Sequence, residues 1–316
     1  MITVTNNMKE FMEKNTGMII LYGAGNSGYW TGYYMNKCNI DFCCYFDKGH
    51  QRDKMFMNGK PIFHPSKFVD FQGKPLRIIV TANCYEAILA DLLEYDRQYN
   101  LSILCLVPKY KSTRTYKAGE VYNINKMLGY FRRKLFIGDY PTIVCSDCTG
   151  GRIYEMMDMI PNSPTVNTGI YPDDFIKICR DPQHYLTQSV KDFFWTVSYF
   201  DKEEYPVGKL DDIFIHFHHF ESEEMAIKTW ESLKEHINWN RLIFVLSDAG
   251  TIPMSVQKEF DALEAEHLTI IREHRSVFIN VSASKYLYMH DWYFRDEKTV
   301  IENHFDLLGW LNKEYE

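Results

Sequence analysis

Apolar runs and helical-period stretches alternate along the first hundred residues. Met18–Tyr22 (MIILY) is a continuous apolar run of strand type, and Tyr29–Asn36 continues at helical period after a glycine-rich turn. Ile40–Phe46, LRIIVTAN (76–83) and LSILCLV (101–107) are predicted as further strands, with YEAILADLLEYDRQY (85–99) an amphipathic helix between the last two. A Pro/Gly-rich connector, NGKPIFHPSKF, precedes LRIIVTAN. Strands alternating with helices predict a parallel sheet with helices on its faces.

A polar stretch then leads into a predicted helix at Asn125–Leu135, which places a boundary near residue 120 and two domains at 1–120 and 121–316. In the second, Thr142–Cys145 reads as a strand and Gly151–Met159 as a helix. In DDIFIHFHHF the period of two sends Ile213, Ile215 and Phe217 to one face, and His216 and His218 to the other. ESEEMAIKTWESLKEHINW is an amphipathic helix with Met225, Ile227, Trp230 and Leu233 toward a core and its acids on a solvated face. RLIFVLSD is a strand that ends on Asp248. The fold class expected is α/β: a short Rossmann-like parallel-sheet domain followed by a second α/β domain.

Composition narrows the function. Of 316 residues, 46% are hydrophobic and 24% charged, the balance of a globular protein with ample core. Aromatics reach 16%, which fits thick cores, a homo-oligomer interface or a surface where sugar rings stack. A net charge of −7, with no basic cluster longer than Arg132–Lys134, argues against nucleic acid as a partner. The polar N-terminus does not read as a signal peptide, and no apolar run approaches the roughly 18 residues that predict a membrane span. Eight scattered cysteines fit reduced thiols and a cytoplasmic location.

Two glycine loops carry candidate chemistry. Gly23, Gly25 and Gly28 supply G-x-G-x-x-G between a strand and a helix: a tight turn, a close approach for phosphate, and close helix packing. Asp47, 22 residues after Gly25, stands where a ribose-binding carboxylate is expected; the plainer reading is that it opens the turn DKGH. The second loop, in TIVCSDCTGGRIYE, follows a strand and places Asp147, Cys148, Gly150 and Gly151 at a carboxyl end, where open sheets bind ligands. Its two cysteines lack the helix-start context of a redox dithiol and a second ligand pair for zinc. His216 and His218 share a strand face, fit for a hydrogen-bonded place in the core or for substrate hydrogen bonding, with a metal site the lesser alternative. His219 at the strand exit is the expected general base, with Asp147 and Asp248 as carboxylates beside it. YLYMHDWYFRDEKTV gathers aromatics around Asp291 and Arg295, as a stacking wall or a dimer contact.

Two resemblances extend this reading. The run FDKGHQRDKMFMNGKPIFHPSKF, with the glycine loop before it, resembles the N-terminal nucleotide-sugar-binding domains of sugar O- and N-acyltransferases. By position that resemblance implies that Gly23, Gly25, Asn26, Ser27, Gly28 and Asp47 hold a nucleotide or nucleotide sugar. The hexapeptide β-helix of those enzymes is not visible, so their acyl transfer is not implied. From about Tyr130, TIVCSDCTGGRIYE, NSPTVNTGIYPDDFIKICRDPQHYL, YPVGKLDDIFIHFHHFESEEMAIKTWESLKEHINW and LIFVLSD resemble a bacterial domain family found in proteins of exopolysaccharide and capsule biosynthesis, in which a P-V-G-K-L turn feeds the histidine strand. Against its S-N-N-C-W-G-G pattern, Cys148, Gly150 and Gly151 match, whereas Cys145, Ser146, Asp147 and Thr149 depart.

The expected function is a transferase acting on a nucleotide sugar or glycan precursor. The alternatives are a non-catalytic nucleotide-binding regulatory module, and a metal-dependent hydrolase using His216, His218 and Asp248.

Overall fold

A computed structural model describes residues 2–14, 16–49, 55–111, 120–198, 202–246, 253–256, 258–260, 262–263, 277–280, 300–303 and 305–312. The chain divides into two compact units: residues 1–136, 156–158 and 296–313 form the first, and residues 137–155, 159–295 and 314–316 the second. Asp248, Asp291 and Arg295 lie outside the described residues.

The first unit is built on a seven-stranded sheet. Its strands are β1 (Ile2–Thr5), β2 (Met18–Tyr22), β3 (Cys44–Phe46), β4 (Phe56–Met57), β5 (Lys60–Phe63), β6 (Pro75–Val80) and β7 (Ser102–Leu106), in the order β1-β7-β6-β2-β3-β5-β4. Every pairing is parallel except β4 with β5. The expected strand at Ile40–Phe46 is shorter, beginning only at Cys44.

Alternation along β2 explains why its sequence is apolar throughout. Ile19 and Leu21 join one core with Phe11 of helix α1 (Met8–Glu13), Tyr34 and Met35 of α2 (Asn26–Lys37), and Met127 and Phe131 of α4 (Ile124–Leu135). Ile20 and Tyr22 join another with Phe68, Phe71, and Ile88 and Leu92 of α3 (Tyr85–Tyr99). A parallel sheet covered on both faces needs such two-sided apolar strands. Local chemistry sets the helix ends: Asn7 and Asn123 cap α1 and α4 by accepting the Glu10 and Lys126 amides, and Asn100 closes α3 in a left-handed conformation. The segment before α4 pairs as a small antiparallel ribbon, β8 (Lys109–Lys111) with β9 (Glu120–Tyr122).

The second unit holds two sheets. β10 (Thr142–Cys145), β15 (Leu242–Leu246) and β16 (Val277–Asn280) are parallel, with β15 central. β11 (Gly169–Ile170), β12 (Lys191–Val197), β13 (Glu204–Leu210) and β14 (Ile213–His216) form an antiparallel sheet in the order β11-β14-β13-β12. Their shared core joins Val144 and Phe244 to Ile213, Ile215 and Phe217, with Phe175 of α6 (Pro172–Arg180) and Trp230 of α8 (Glu223–Lys234).

Four expectations are corrected here. The P-V-G-K-L segment is strand rather than turn; the reversal is the two-residue connection Asp211–Asp212, with Asp211 at φ 56. That tight hairpin fixes β14 in the antiparallel sheet, so the histidine strand and the β10 loop do not share one sheet edge. On α8 the buried positions are Ala226 and Trp230, whereas Met225 and Ile227 are exposed; the Trp230 indole donates to the Gln188 carbonyl (2.9 Å), which sets the rotation. Helix α5 spans Thr149–Met156, two residues earlier at its start than Gly151. No helix among the described residues is long and apolar enough to cross a membrane.

Candidate functional sites

The topology of the first unit opens a crevice. After β2 the chain runs through α2 to β3 on one side, and after β6 it runs through α3 to β7 on the other. Adjacent strands whose connections leave in opposite directions define the switch point at which open α/β sheets bind ligands. The glycine loop follows β2, and Thr81–Cys84 follows β6, so both borders of the crevice come from this point.

Each loop glycine has a distinct physical role. Gly23 sits at φ 119, and Gly28 packs so closely that an added β-carbon would stand 2.0 Å from the Gly23 carbonyl oxygen. At Gly25 a β-carbon would touch nothing within 4 Å, so that face of the loop is open. Gly25 caps α2 without a side-chain bond, and no partner meets the Asn26 and Ser27 amides among the described residues. Amides of a helix's first turn, backed by its dipole, attract an anion.

Asp47 at the end of β3 accepts the Ala24 amide (2.7 Å) on one carboxylate oxygen and the Gly49 amide (2.8 Å) on the other. It therefore shapes the loop directly. The Thr81 hydroxyl donates to the Gly23 carbonyl (2.6 Å) and braces the opposite border. Sequence reasoning missed Tyr122: its hydroxyl is buried beside Ser27 and Cys84, and burial is the main cause that pushes its pKa up. Its ring stacks on Tyr85 at the start of α3, with centroids 6.2 Å apart. Nothing local to EVYN marks it, because β9 reaches the crevice only through the fold.

In the second unit, the loop after β10 is held from several directions. Ser146 donates to the Val245 carbonyl (3.1 Å) and its own carbonyl accepts the Ile170 amide (2.8 Å), which ties β10 to β11. One Asp147 oxygen accepts the Thr149 amide (2.9 Å) and the Cys145 thiol (3.3 Å), closing a tight turn before α5. Burial, with the Asp147 charge, pushes the Cys145 thiol well above its ordinary pKa and keeps it protonated. Gly150 packs on Cys145, where a β-carbon would lie 3.0 Å from the Cys145 β-carbon, and Gly151 packs against Asn167. Cys148 is half-buried between them.

Because β11 also pairs with β14, Gly169 lies directly across from His216, and the loop and the histidines are brought near one another by β11. The His216 and His218 rings are nearly parallel, 5.7 Å apart, although β14 ends at His216 and His218 stands in the turn beyond, not on the expected strand face. His216 is buried and its Nδ1 lies 3.2 Å from the Tyr205 hydroxyl; burial pushes its imidazolium pKa down. His218 packs 4.1 Å from the Tyr205 ring, and His219 is exposed in the turn beyond. Tyr171 and Tyr205 complete the group and carried no local signal. No three His, Cys, Asp or Glu side chains converge as a metal-binding group among the described residues.

The model of a family described as Domain of unknown function (DUF1919) matches residues 119–315, which include the Asp147 loop and the histidine strand but not the first glycine loop. An uncharacterized protein of Haemophilus influenzae is 28% identical over 176 residues, spanning 55% of this chain and 78% of that protein. The methyltransferase FkbM of Methylobacillus flagellatus KT superposes with a TM-score of 0.26 at 11% identity, over 87% of this chain and 67% of that one. A score so low carries no argument about fold or activity.

Proposed function

The chain belongs to the DUF1919 family, and on that premise we propose that it is a transferase of exopolysaccharide or capsule biosynthesis, with a nucleotide or nucleotide sugar bound in the crevice of its first unit. The observation that carries the binding reading is the glycine loop at the sheet's switch point. Its Asn26 and Ser27 amides form an anion cradle, Gly25 leaves the approach open, and Tyr122 presents a buried hydroxyl beside it. Gly23 and Gly28 build the turn, and Asp47 holds it through Ala24. In this reading residues 1–120 bind the donor, and residues 121–316 act on a sugar or glycan precursor through Asp147, Cys148, Gly150, Gly151, His216, His218, His219 and Asp248. The resemblance of both halves to sugar-handling proteins supports the substrate class, and the chain works in the cytoplasm.

Isothermal titration with nucleoside diphosphates and their sugar conjugates tests this. Gly25→Val is the informative variant. Its extended backbone tolerates a branched residue, and its β-carbon meets open space, so folding persists while the approach is blocked. Heat from at least one ligand with the parent chain, and loss of it in Gly25→Val at unchanged melting temperature, is expected. Silence from every ligand with folded parent protein refutes the binding reading.

A further inference from the structure

The second unit carries a hydrogen-bonding atom that its own fold does not use. His216 is 8% exposed and Nε2 is fully buried, yet Nε2 has no hydrogen-bond partner among the described residues. Native folds nearly always meet such atoms, because leaving one unmet costs about 1–3 kcal/mol. Nδ1 is already engaged by Tyr205. With one nitrogen so held, Nε2 of the neutral ring either donates or accepts according to tautomer.

The surroundings define what Nε2 can meet. Tyr171 stands edge-on to the His216 ring, centroids 4.7 Å apart, and is 61% exposed. The exposed His218 ring lies parallel on the other side. His218 packs directly on Gly169, where a β-carbon would come within 2.8 Å of His218 Nε2. The charge that acts on His216 is the Asp174 carboxylate of α6, which pairs with Lys177 (3.3 Å) and accepts the Phe214 amide (3.3 Å). A neutral imidazole brings no positive charge to hold an anion, and the Asp174–Lys177 pair adds no net charge. A quaternary ammonium would leave Nε2 unmet, because it has no hydrogen to donate and no lone pair to accept with.

We propose that His216 Nε2 is the buried anchor of a ligand site on the second unit, and that the ligand is an uncharged hydroxylated ring, of pyranose type, seated against Tyr171 and His218. One ring hydroxyl satisfies Nε2, and the ring's C–H face packs on the aromatic walls, the usual division between a few orienting polar groups and apolar lining. Tyr171 is exposed, so fast rotamer exchange lets the ring enter beside it before the side chain closes on the bound face. This site deepens, and rests on, the reading of the second unit as acting on a sugar, and it does not require a nucleotide in the first.

Imidazole 15N correlation spectra of the full chain, with the His216 signals assigned by difference against His216→Gln, provide the readout. The probes are the methyl glycosides of glucose, galactose and N-acetylglucosamine, with glucuronate and choline as charged controls. We expect at least one neutral glycoside to shift His216 Nε2 and neither control to do so. Tyr171→Ala should weaken that titration about 5- to 10-fold, in line with a lost aromatic contact, at unchanged melting temperature. Should His216→Gln fail to fold, the Tyr171→Ala titration carries the test alone. No response to any neutral glycoside, or a response to a control as large, overturns the proposal. So does an unchanged titration in Tyr171→Ala, or an Nε2 that reports only a trapped water in every sample.

Discussion

Removing the carboxylate of Glu302 should cost the first unit a large part of its stability. Arg132 is fully buried on α4 and Glu302 nearly so, at 0% and 2% side-chain exposure. The guanidinium makes two bonds to the carboxylate (2.5 and 2.8 Å), and its remaining donors reach the carbonyls of Asn125 (2.9 Å) and Met156 (2.8 Å) and the Asn125 side chain (3.1 Å). Tyr34 donates to the same carboxylate (2.5 Å), and the Asn125 side-chain oxygen also accepts the Ile301 amide (3.1 Å). Glu302→Ala leaves a buried cation uncompensated, a loss of about 3–5 kcal/mol. For a unit of this size that corresponds to a fall in melting temperature of about 6–20 °C.

The double change Arg132→Met, Glu302→Leu removes both charges and should recover most of that loss, because desolvating the pair offsets much of its attraction. Acid sensitivity supplies an independent readout. Burial alone would raise the Glu302 carboxyl, but Arg132 overcomes it and holds the group below its ordinary value of 4.5. The unfolded chain therefore takes up the proton first as pH falls. The pair's contribution is complete above about pH 4.5 and is lost as pH drops through the folded value. Urea titrations from pH 7 to 3 on the parent and on Glu302→Gln measure this: the parent should lose more stability on acidification. A loss under 1 kcal/mol in Glu302→Ala, or parallel acid profiles, would refute the reasoning (about one fifth of the expected effect at its upper end).

Two further perturbations follow from close packing and from the sheet edge. Gly28→Ala drives a β-carbon into the Gly23 carbonyl and should cost about 3 kcal/mol or more, whereas Gly25→Ala should stay within about 0.5 kcal/mol; equal denaturation midpoints for the two would contradict the packing argument. Tyr154→Phe should cost about 1–3 kcal/mol, because its buried hydroxyl accepts the Ile143 amide (2.8 Å) on the edge of β10 facing away from β15; amide exchange at Ile143 should quicken, and an unchanged rate would count against that role.

Much of the fold was legible in the order of residues. The α/β class, the strand at Thr142–Cys145 and the helix at Tyr85–Tyr99 follow from periodicity, because a strand buried on both faces must be apolar throughout and a half-buried helix must repeat near 3.6. The glycine loop was legible because Gly28 answers to the Gly23 carbonyl five residues away and Gly23 to its own positive φ. The face of α8 was not: Met225, Ala226 and Ile227 are all apolar, and the distant Gln188 carbonyl decides the helix's rotation.

By itself, then, the sequence determined the alternating strands and helices of the first unit and the two loops at strand ends, since each depends on neighbours within one or two turns of chain. Only the tertiary structure decided that β14 leaves the sheet of β10, that β11 then brings Gly169 across from His216, and that His216 buries an Nε2 with no hydrogen-bond partner among the described residues. Those facts depend on which distant strands pair and which groups lose water on folding, and neither is written in any short stretch of residues.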